Sequence, residues 1–258
     1  MKYAFILFCA VIYSLNSQSA NAQQNTVGTG GTAIGSGGSV SYSIGQLDYI
    51  TASGSGGSAS QGMQQVFKVS FNLKAYIQGY YEGSGLMKSV LANQGQVNGL
   101  TDTDTLTIEL HLPNPPYAMA HSYSGIIKTD GTITCAFLNA NEGLQYYVVV
   151  KHRNSLETWS AAPITLFANT NYDFTTNANK AFGNNQFEVE PNVWAFYSGD
   201  INTDENIDLL DLAIVENDIS NFQFGYLATD INGDGNVDLL DSTPVEVNAT
   251  NFVFSLHP

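Results

Sequence analysis

The C-terminal part of the chain is a duplication with a period of 30 residues, and this repeat restricts the fold more than any other feature. Residues 199–211 read GDINTDENIDLLD, and residues 229–241 read TDINGDGNVDLLD. The match continues to residues 224 and 254, so that 14 of the 30 aligned positions are identical. Units of this length are too small to bury separate cores. We therefore expect the two units to pack against each other.

Each unit places oxygen-bearing side chains at regular intervals. Counted from its first aspartate, Asp or Asn occupies positions 1, 3, 5, 7, 9 and 12, which is the spacing of a calcium loop of the EF-hand type. In such a loop alternate side chains turn inward, position 7 contributes its backbone carbonyl, and position 12 returns from the start of a helix. We predict two Ca²⁺ sites. The predicted ligands of site one are Asp200, Asn202, Asp204, Asn206 (carbonyl), Asp208 and Asp211, and those of site two are Asp230, Asn232, Asp234, Asn236 (carbonyl), Asp238 and Asp241.

Two positions depart from the usual calcium loop. Position 12 is Asp in both units, rather than the bidentate Glu of sensor EF-hands. Position 6, where the loop turns sharply, is Gly235 in the second loop but Glu205 in the first. A residue other than glycine costs on the order of 1 kcal/mol at such a turn. The sequence therefore predicts weaker calcium binding at site one.

The tandem loops resemble a type I dockerin, the duplicated calcium module of cellulosomal and surface proteins. The resemblance implies that each loop leads into one helix and that the helix faces bind a cohesin domain. The first helix would span residues 212–218, and Pro244 would keep the second one short. The partner-contact positions that the resemblance implies are Leu212-Ala213 and Ser242-Thr243, which differ between the units and argue against docking in two equivalent modes. A purely structural role that clamps the C-terminus remains an alternative.

The charge of the chain is concentrated in this repeat. The chain has 23 acidic and 8 basic residues, for a formal net charge of −15, and residues 199–258 contain 12 of the acidic residues and no Lys or Arg. An acidic surface disfavours nucleic acid and anionic membranes as partners, because phosphates are bound by Lys and Arg. Eight of the 12 carboxylates are predicted ligands, so most of the acidic character is a local demand for metal coordination.

The N-terminus predicts export. Lys2 precedes an apolar run over residues 3–15, and small residues follow at Ala20-Asn21-Ala22, which together form a secretory signal peptide over residues 1–22. The run is too short to span a bilayer, and no later stretch is long enough. We expect a secreted protein that is extracellular or bound to the cell surface. Cys135 is then the single remaining cysteine, in an apolar stretch that predicts a buried, inert thiol.

Three segments follow the signal peptide. Residues 23–70 form a Gly/Ser-rich strand-forming segment, residues 71–198 a β-sandwich, and residues 199–258 the dockerin-like module, so the fold class is mainly β with a small α module at the C-terminus. Residues 37–42 and 61–65 resemble an N-terminal module of secreted proteins from bacteria that use type IX secretion. The sandwich resembles prealbumin-like or Ig-like modules of surface proteins. Alternating apolar residues over 40–44 and 67–73 predict strands in and directly after the first segment. The seven predicted strands of the sandwich cover residues 73–81, 105–111, 124–128, 132–137, 146–152, 164–167 and 171–175.

These features predict a non-catalytic protein that acts in adhesion, glycan binding or partner docking. The partner would be a protein, either cohesin-like or a second copy, or a polysaccharide that stacks on aromatic residues near predicted turns. The alternative is a homopolymer: a filament subunit assembled by β-strand exchange through residues 23–70. Two further clusters have an enzyme-like interpretation, but we expect Glu188 and Glu190 to form a solvated face and residues 151–154 to be a polar strand end beside Trp159.

Overall fold

The computed structural model describes residues 30–35, 38–43, 50–54, 57–61, 68–96, 99–138 and 140–258. The predicted signal peptide over residues 1–22 lies outside the described residues. The chain divides into two compact units, Met1–Gln65 and Val66–Pro258. The first unit contains two antiparallel hairpins, which are formed by β1 (Gly30–Gly35) with β2 (Gly38–Ser43) and by β3 (Ile50–Gly54) with β4 (Gly57–Gln61).

The second unit contains two main sheets. One has the strand order β12-β11-β8-β9 with β13 also paired to β11, and the other has the order β10-β5-β14, in which β14 runs parallel to β5. The main strands are β5 (Lys68–Lys74), β8 (Asp102–His111), β9 (Met119–Lys128), β10 (Thr132–Leu138), β11 (Gln145–His152), β12 (Ser155–Trp159), β13 (Ile164–Thr165) and β14 (Asn169–Asp173).

Alternating apolar residues on both sheets build one shared core. On β5 the inward side chains are Val69, Phe71 and Leu73, and β8 contributes its own alternating set to the same cluster. This period of two is the pattern that a strand with one buried face requires. Cys135 lies inside this core, fully buried, and burial raises the pKa of its thiol to about 12. The mainly β fold with a small helical C-terminal module is thus confirmed.

Shorter elements close the sandwich. They are β6 (Tyr81–Gly83), β7 (Leu86–Met87), α1 (Val90–Asn93), β15 (Phe187–Glu190), β16 (Val193–Ala195) and the 3-10 turns Gln78–Tyr80, Ala178–Lys180 and Phe182–Asn184. The predicted strand over residues 73–81 is wrong in most of its length, because β5 ends at Lys74 and a 3-10 turn follows. The alternating sequence pattern of residues 67–73 instead predicts the strand. The observed strand β5 begins at Lys68, before the predicted start of the sandwich at residue 71.

Two helices complete the C-terminal module. They are α2 (Leu209–Ser220) and α3 (Leu239–Thr250), each 12 residues long. Both begin with a capping box, formed by Asp208 with Asp211 and by Asp238 with Asp241, which satisfies backbone N–H groups of the first turn. The prediction that Pro244 shortens the second helix is wrong. Pro244 lies inside α3, where the cap and the apolar contacts of Val245 outweigh the hydrogen bond that proline cannot make.

Within the described ranges, no helix is both long and apolar enough to cross a membrane.

Candidate metal centre

The first acidic loop folds around the carboxylates at its two ends. Asp200 accepts hydrogen bonds from the backbone N–H groups of Asp204 and Glu205, both at 3.2 Å. Asp211, at position 12, accepts from the N–H of Ile201 at 2.8 Å and from that of Asp208 at 3.0 Å. Both carboxylates are buried. Asp211 therefore links the start of loop one to the start of α2 through hydrogen bonds.

The second loop repeats this geometry almost bond for bond. Asp230 accepts from the N–H groups of Asp234 and Gly235, both at 3.1 Å. Asp241 accepts from the N–H of Asn232 and from that of Asp238, both at 2.9 Å. The structure thus brings the two ends of each predicted ligand set together, and the remaining predicted ligands lie on the loop between them.

Burial makes the end carboxylates electrostatically unfavourable by themselves. Burial raises the pKa of Asp200 to about 7, and the neighbouring charge of Asp211 adds to the rise. Burial likewise raises the pKa of Asp241 to about 6 and raises that of Asp230, although hydrogen bonds from backbone amides offset part of both shifts. Residues 199–258 contain no Lys or Arg, and the charge of Arg153 in the sandwich offsets the rise in the pKa of Asp230 only in part. A bound cation would relieve the repulsion.

The donor chemistry fits a hard cation such as Ca²⁺. Every predicted ligand offers an oxygen, and hard cations with six to eight ligands prefer oxygens. In the described part of the chain, no three acidic, histidine or cysteine side chains converge on a common point. Instead, the amides of Asn202 and Asn232 donate to the carboxylates of Asp204 and Asp234 at 2.9 and 3.1 Å. The oxygens of the same two amides accept from the N–H groups of Asp204 and Asp234 at 2.9 and 2.8 Å.

The two units interlock with an approximate twofold relation. Ile207 of loop one bonds through its N–H to the carbonyl of Val253, which follows α3, and Val237 of loop two bonds to the carbonyl of Gln223, which follows α2. These distances are 2.9 and 3.2 Å. One apolar cluster fills the space between the units, and its buried members are Leu156, Ile207, Val215, Ile231, Val237, Val245 and Val253. The expected packing of one unit against the other is therefore present.

Leu156 in this cluster does not belong to the repeat. It lies on β12 of the sandwich, has 1% of its surface exposed, and bonds through its N–H to the carbonyl of Tyr197 at 2.9 Å. Ser155 and Ser198 also form an antiparallel bridge directly before the first loop. The core of the module is thus completed by the sandwich.

A buried ionic cluster joins the sandwich to the segment between the two units. Asp104 on β8 is fully buried, and it accepts from Arg153 Nε at 3.0 Å and from the hydroxyl of Tyr226. His152 Nε2 lies 3.1 Å from the same carboxylate, and its Nδ1 lies 3.0 Å from Ser155 Oγ. Burial alone would raise the pKa of Asp104, but the hydrogen bond from His152 and the charges of His152 and Arg153 hold it well below its usual range.

Besides its pair with Asp104, Arg153 contacts the segment between the two units. Its guanidinium donates to the carbonyl of Leu227 and lies over the ring of Tyr226, 4.2 Å from the centroid. The next residue, Asn154, is fully buried and donates to the backbone carbonyl of Asp230 at 3.3 Å. The sequence marked residues 151–154 as a polar strand end, but the partners 74 and 76 residues away carry no local signal.

The two loops differ where the sandwich packs on them. Gly233 and Gly235 have φ angles of +70° and +87°, and the corresponding residues of loop one, Thr203 and Glu205, have φ angles of +58° and +70°. A Cβ on Gly233 would lie 2.4 Å from Cγ2 of Val90 on α1, which leaves no room for a side chain. Loop one therefore bears the strain of two residues in a region that favours glycine, as predicted for Glu205.

Each unit exposes two leucines and two phenylalanines at corresponding positions, and we group the leucines of one unit with the phenylalanines of the other. We call Leu209, Leu210, Phe252 and Phe254 patch one, and Leu239, Leu240, Phe222 and Phe224 patch two. Their exposed fractions range from 50% for Phe254 to 85% for Phe222. Patch one lines a groove of about 760 Å³ beside the start of α2.

The partner-contact positions expected from the sequence, Leu212-Ala213 and Ser242-Thr243, lie next to these patches in the chain and not within them. Leu212 is half-buried against the apolar cluster of the module, and Ser242 is buried with its hydroxyl bonded to the carbonyl of Leu239. Of the expected contact pairs, only Ala213 and Thr243 are exposed. The Leu-Leu pairs at positions 10 and 11 are identical in both units, and this identity was the signal that could have found them.

The carboxylates with an enzyme-like interpretation have separate structural partners. Glu190 accepts from the hydroxyl of Tyr81 and from the N–H of Ser84, whereas Glu188 accepts from the N–H of Asn192. A register shift separates the two on β15. Among the aromatic residues near turns, Tyr80 is fully buried and Trp159 has 6% of its surface exposed, so these two rings are not open platforms.

Comparison with known proteins identifies the C-terminal module. Residues 198–246 match the family model of the dockerin type I domain, a family that binds calcium. The predicted resemblance is confirmed for this module. Two solved structures show a distant likeness: the N-terminal and C-terminal interface mutants of a type II cohesin–X-dockerin complex from Acetivibrio cellulolyticus. Each is 14% identical with a TM-score of 0.42, over 71% of this chain and 99% of that chain. No curated protein matches the chain.

Proposed function

We propose that the C-terminal module binds two Ca²⁺ ions, one in each loop, and docks a protein partner through patches one and two. The proposed ligands are the twelve residues named above, with Asp200 and Asp211 closing site one and Asp230 and Asp241 closing site two. The predicted signal peptide over residues 1–22 supports action outside the cell or at its surface. The dockerin family supports a cohesin-like partner.

One observation carries the docking proposal: an aromatic residue is held in an unfavourable conformation at the same place in both units. Phe222 and Phe252 follow the ends of α2 and α3 with φ angles of +52° and +55°, in the left-handed region where helices usually place glycine. They are 85% and 84% exposed. Such strain costs about 1–2 kcal/mol for each residue. Each of these phenylalanines costs free energy through its strained backbone and through its exposed apolar ring. A partner that buries both rings would explain why they are present.

The chemistry of the module restricts the partner. The patches are apolar, and the surrounding module has 12 acidic and no basic residues. A complementary surface has an apolar centre with Lys or Arg around its rim, because opposite potentials steer association. A second copy of the same module would bring like charges together, so the charge favours a different protein.

Glycine at the two phenylalanine positions tests this proposal. Phe222→Gly/Phe252→Gly relieves the backbone strain, so the free energy of unfolding should stay equal or rise, while docking is lost. The full chain is immobilised, and proteins of the organism's secreted fraction are captured in calcium or in EGTA and quantified by mass spectrometry. A specific partner should be retained in calcium, lost in EGTA and lost with the double variant. The control is Phe167→Ala, which removes a phenylalanine that is 57% exposed on the sandwich. Equal capture by the double variant and the wild type would contradict docking through the patches.

A second proposal concerns the first unit. Its two Gly-rich hairpins are two-stranded sheets, whose edges can accept further strands. We propose that residues 23–70 support self-assembly by strand exchange. The full chain and a variant lacking residues 23–65, which leaves β5 intact, are compared by analytical ultracentrifugation at high concentration with calcium. A full chain that stays monomeric would refute the proposal.

A further inference from the structure

A side chain of the sandwich contacts a predicted calcium ligand directly. Gln94, the residue that ends α1, donates from Nε2 to Oδ2 of Asp230 at 2.8 Å. The same oxygen accepts from the N–H of Gly235 at 3.1 Å, and the other oxygen accepts from the N–H of Asp234. The carboxylate of Asp230 is thereby fixed by donors from two sides.

The contact is part of a wider fit between the sandwich and loop two. A Cβ on Gly79 would lie 2.2 Å from the backbone oxygen of Ile231, and a Cβ on Gly235 would lie 3.9 Å from the amide of Gln94. Asn154 holds the backbone oxygen of Asp230 as well. Two atoms of one ligand residue are therefore positioned by side chains 76 and 136 residues away in sequence.

Asp200, the equivalent ligand of loop one, has no such hydrogen bond from the sandwich within the described ranges. Asp200 accepts from Asp204 and Glu205, both inside its own loop. Gly233 and Gly235 leave space for α1 beside loop two. The corresponding residues of loop one are Thr203 and Glu205, and both are exposed. The two loops thus share their internal geometry but differ in external support.

We propose that Gln94 is a positioning residue for calcium at loop two, and that it couples occupancy of this loop to the stability of the sandwich. The proposal rests on the two-site calcium function given above. A donor that orients a metal-binding carboxylate typically changes metal affinity 10- to 100-fold. Because linkage is reciprocal, calcium at loop two stabilises the packing of α1 by the same free energy.

The test separates the two loops in the full chain. Asp200→Asn leaves loop two as the intact site, and Asp230→Asn leaves loop one. Gln94→Met, which keeps the volume but lacks the donor, is added to each background, and calcium is titrated by calorimetry. We expect about a 10-fold loss of affinity in the Asp200→Asn background and no change in the Asp230→Asn background. The matched control is Gln96→Met, two residues further on and exposed.

Thermal unfolding with and without calcium distinguishes positioning from packing. Positioning predicts that Gln94→Met reduces the rise in Tm that calcium produces, whereas a packing role would lower Tm equally in both conditions. Should Gln94→Met fail to fold, Gln94→Asn replaces it, since the shorter amide cannot reach Asp230. Unchanged affinity at loop two, or an equal loss at both loops, would overturn the proposal while leaving the calcium function intact. Absence of calcium binding in the wild type would overturn both.

Discussion

Arg153→Met tests whether the buried cluster around Asp104 joins the sandwich to the module. The side chain of Asp104 is fully buried, and that of Arg153 is 18% exposed. Removing Arg153 leaves the carboxylate with His152 and the hydroxyls of Tyr80 and Tyr226, and it also removes the donor to Leu227. Breaking a buried pair in this way costs about 3–5 kcal/mol, because the remaining charge is uncompensated. With calcium present, the urea midpoint should fall by about 1–2 M.

The double variant Arg153→Met/Asp104→Asn makes this prediction specific. It removes the uncompensated charge, so it should be less destabilised than the sum of the two single variants by at least about 1 kcal/mol. The assay is urea unfolding followed by the fluorescence of Trp159 and Trp194. Lys151→Met is the control, because Lys151 is 43% exposed in its pairs with Glu109 and Glu157 and should cost no more than about 1 kcal/mol. Additive effects in the double variant would refute the reasoning.

Acid titration gives an independent readout of the same cluster. The folded pKa of Asp104 lies below its unfolded value, so its contribution to stability is complete above the unfolded pKa of about 4 and is lost as pH falls through the folded pKa. In Arg153→Met the pKa of Asp104 should rise. The acid-induced loss of stability should then begin at a higher pH than in the wild type.

Three further predictions concern the module. Removing calcium with EGTA should lower Tm, since a ligand at 100 times its Kd stabilises by about 2.7 kcal/mol for each site; an unchanged Tm would contradict calcium binding. Leu156→Ala should cost about 2–5 kcal/mol in urea unfolding, and Leu138→Ala, at a position 58% exposed, should cost about 0.5 kcal/mol or less; similar losses would contradict a role for Leu156 in the module core. Glu205→Gly should raise the calcium affinity of loop one about 5-fold in calorimetry by relieving about 1 kcal/mol at φ +70°; unchanged affinity would show that the strain is not coupled to binding.

The features that were predictable from sequence are those encoded within about 30 residues. Loop spacing and the alternation of β10 are local patterns, and each has its physical cause nearby in the chain. The first helix, in contrast, begins at Leu209, three residues before its predicted start at residue 212. The effect of Pro244 was predicted wrongly because the hydrogen bond that proline cannot make is a local cost. The packing of Val245 that outweighs this cost involves residues far away in sequence. A single local rule therefore fails where tertiary contacts contribute more free energy.

The junction between the sandwich and the module could not be predicted for the same reason. Leu156 lies on β12, a strand that was not predicted because its residues do not alternate between buried and exposed. Gln94 is a polar residue after a short helix, with no sequence feature that marks it. Their roles arise only when the fold brings them to partners far away in sequence, such as Asp230, 136 residues beyond Gln94. Even the glycines of loop two were interpretable only as turn residues, although Gly233 is also needed for the approach of Val90.

The bridge between Ser155 and Ser198 has a mechanical consequence. Because the chain enters loop one while still paired with β12, the module is not tethered by a swinging connection. A pulling force applied by a docked partner would pass into the sandwich through several contacts loaded side by side, including those of Leu156, Arg153 and Gln94. Contacts that share a load in parallel rupture at higher force than contacts that break one after another.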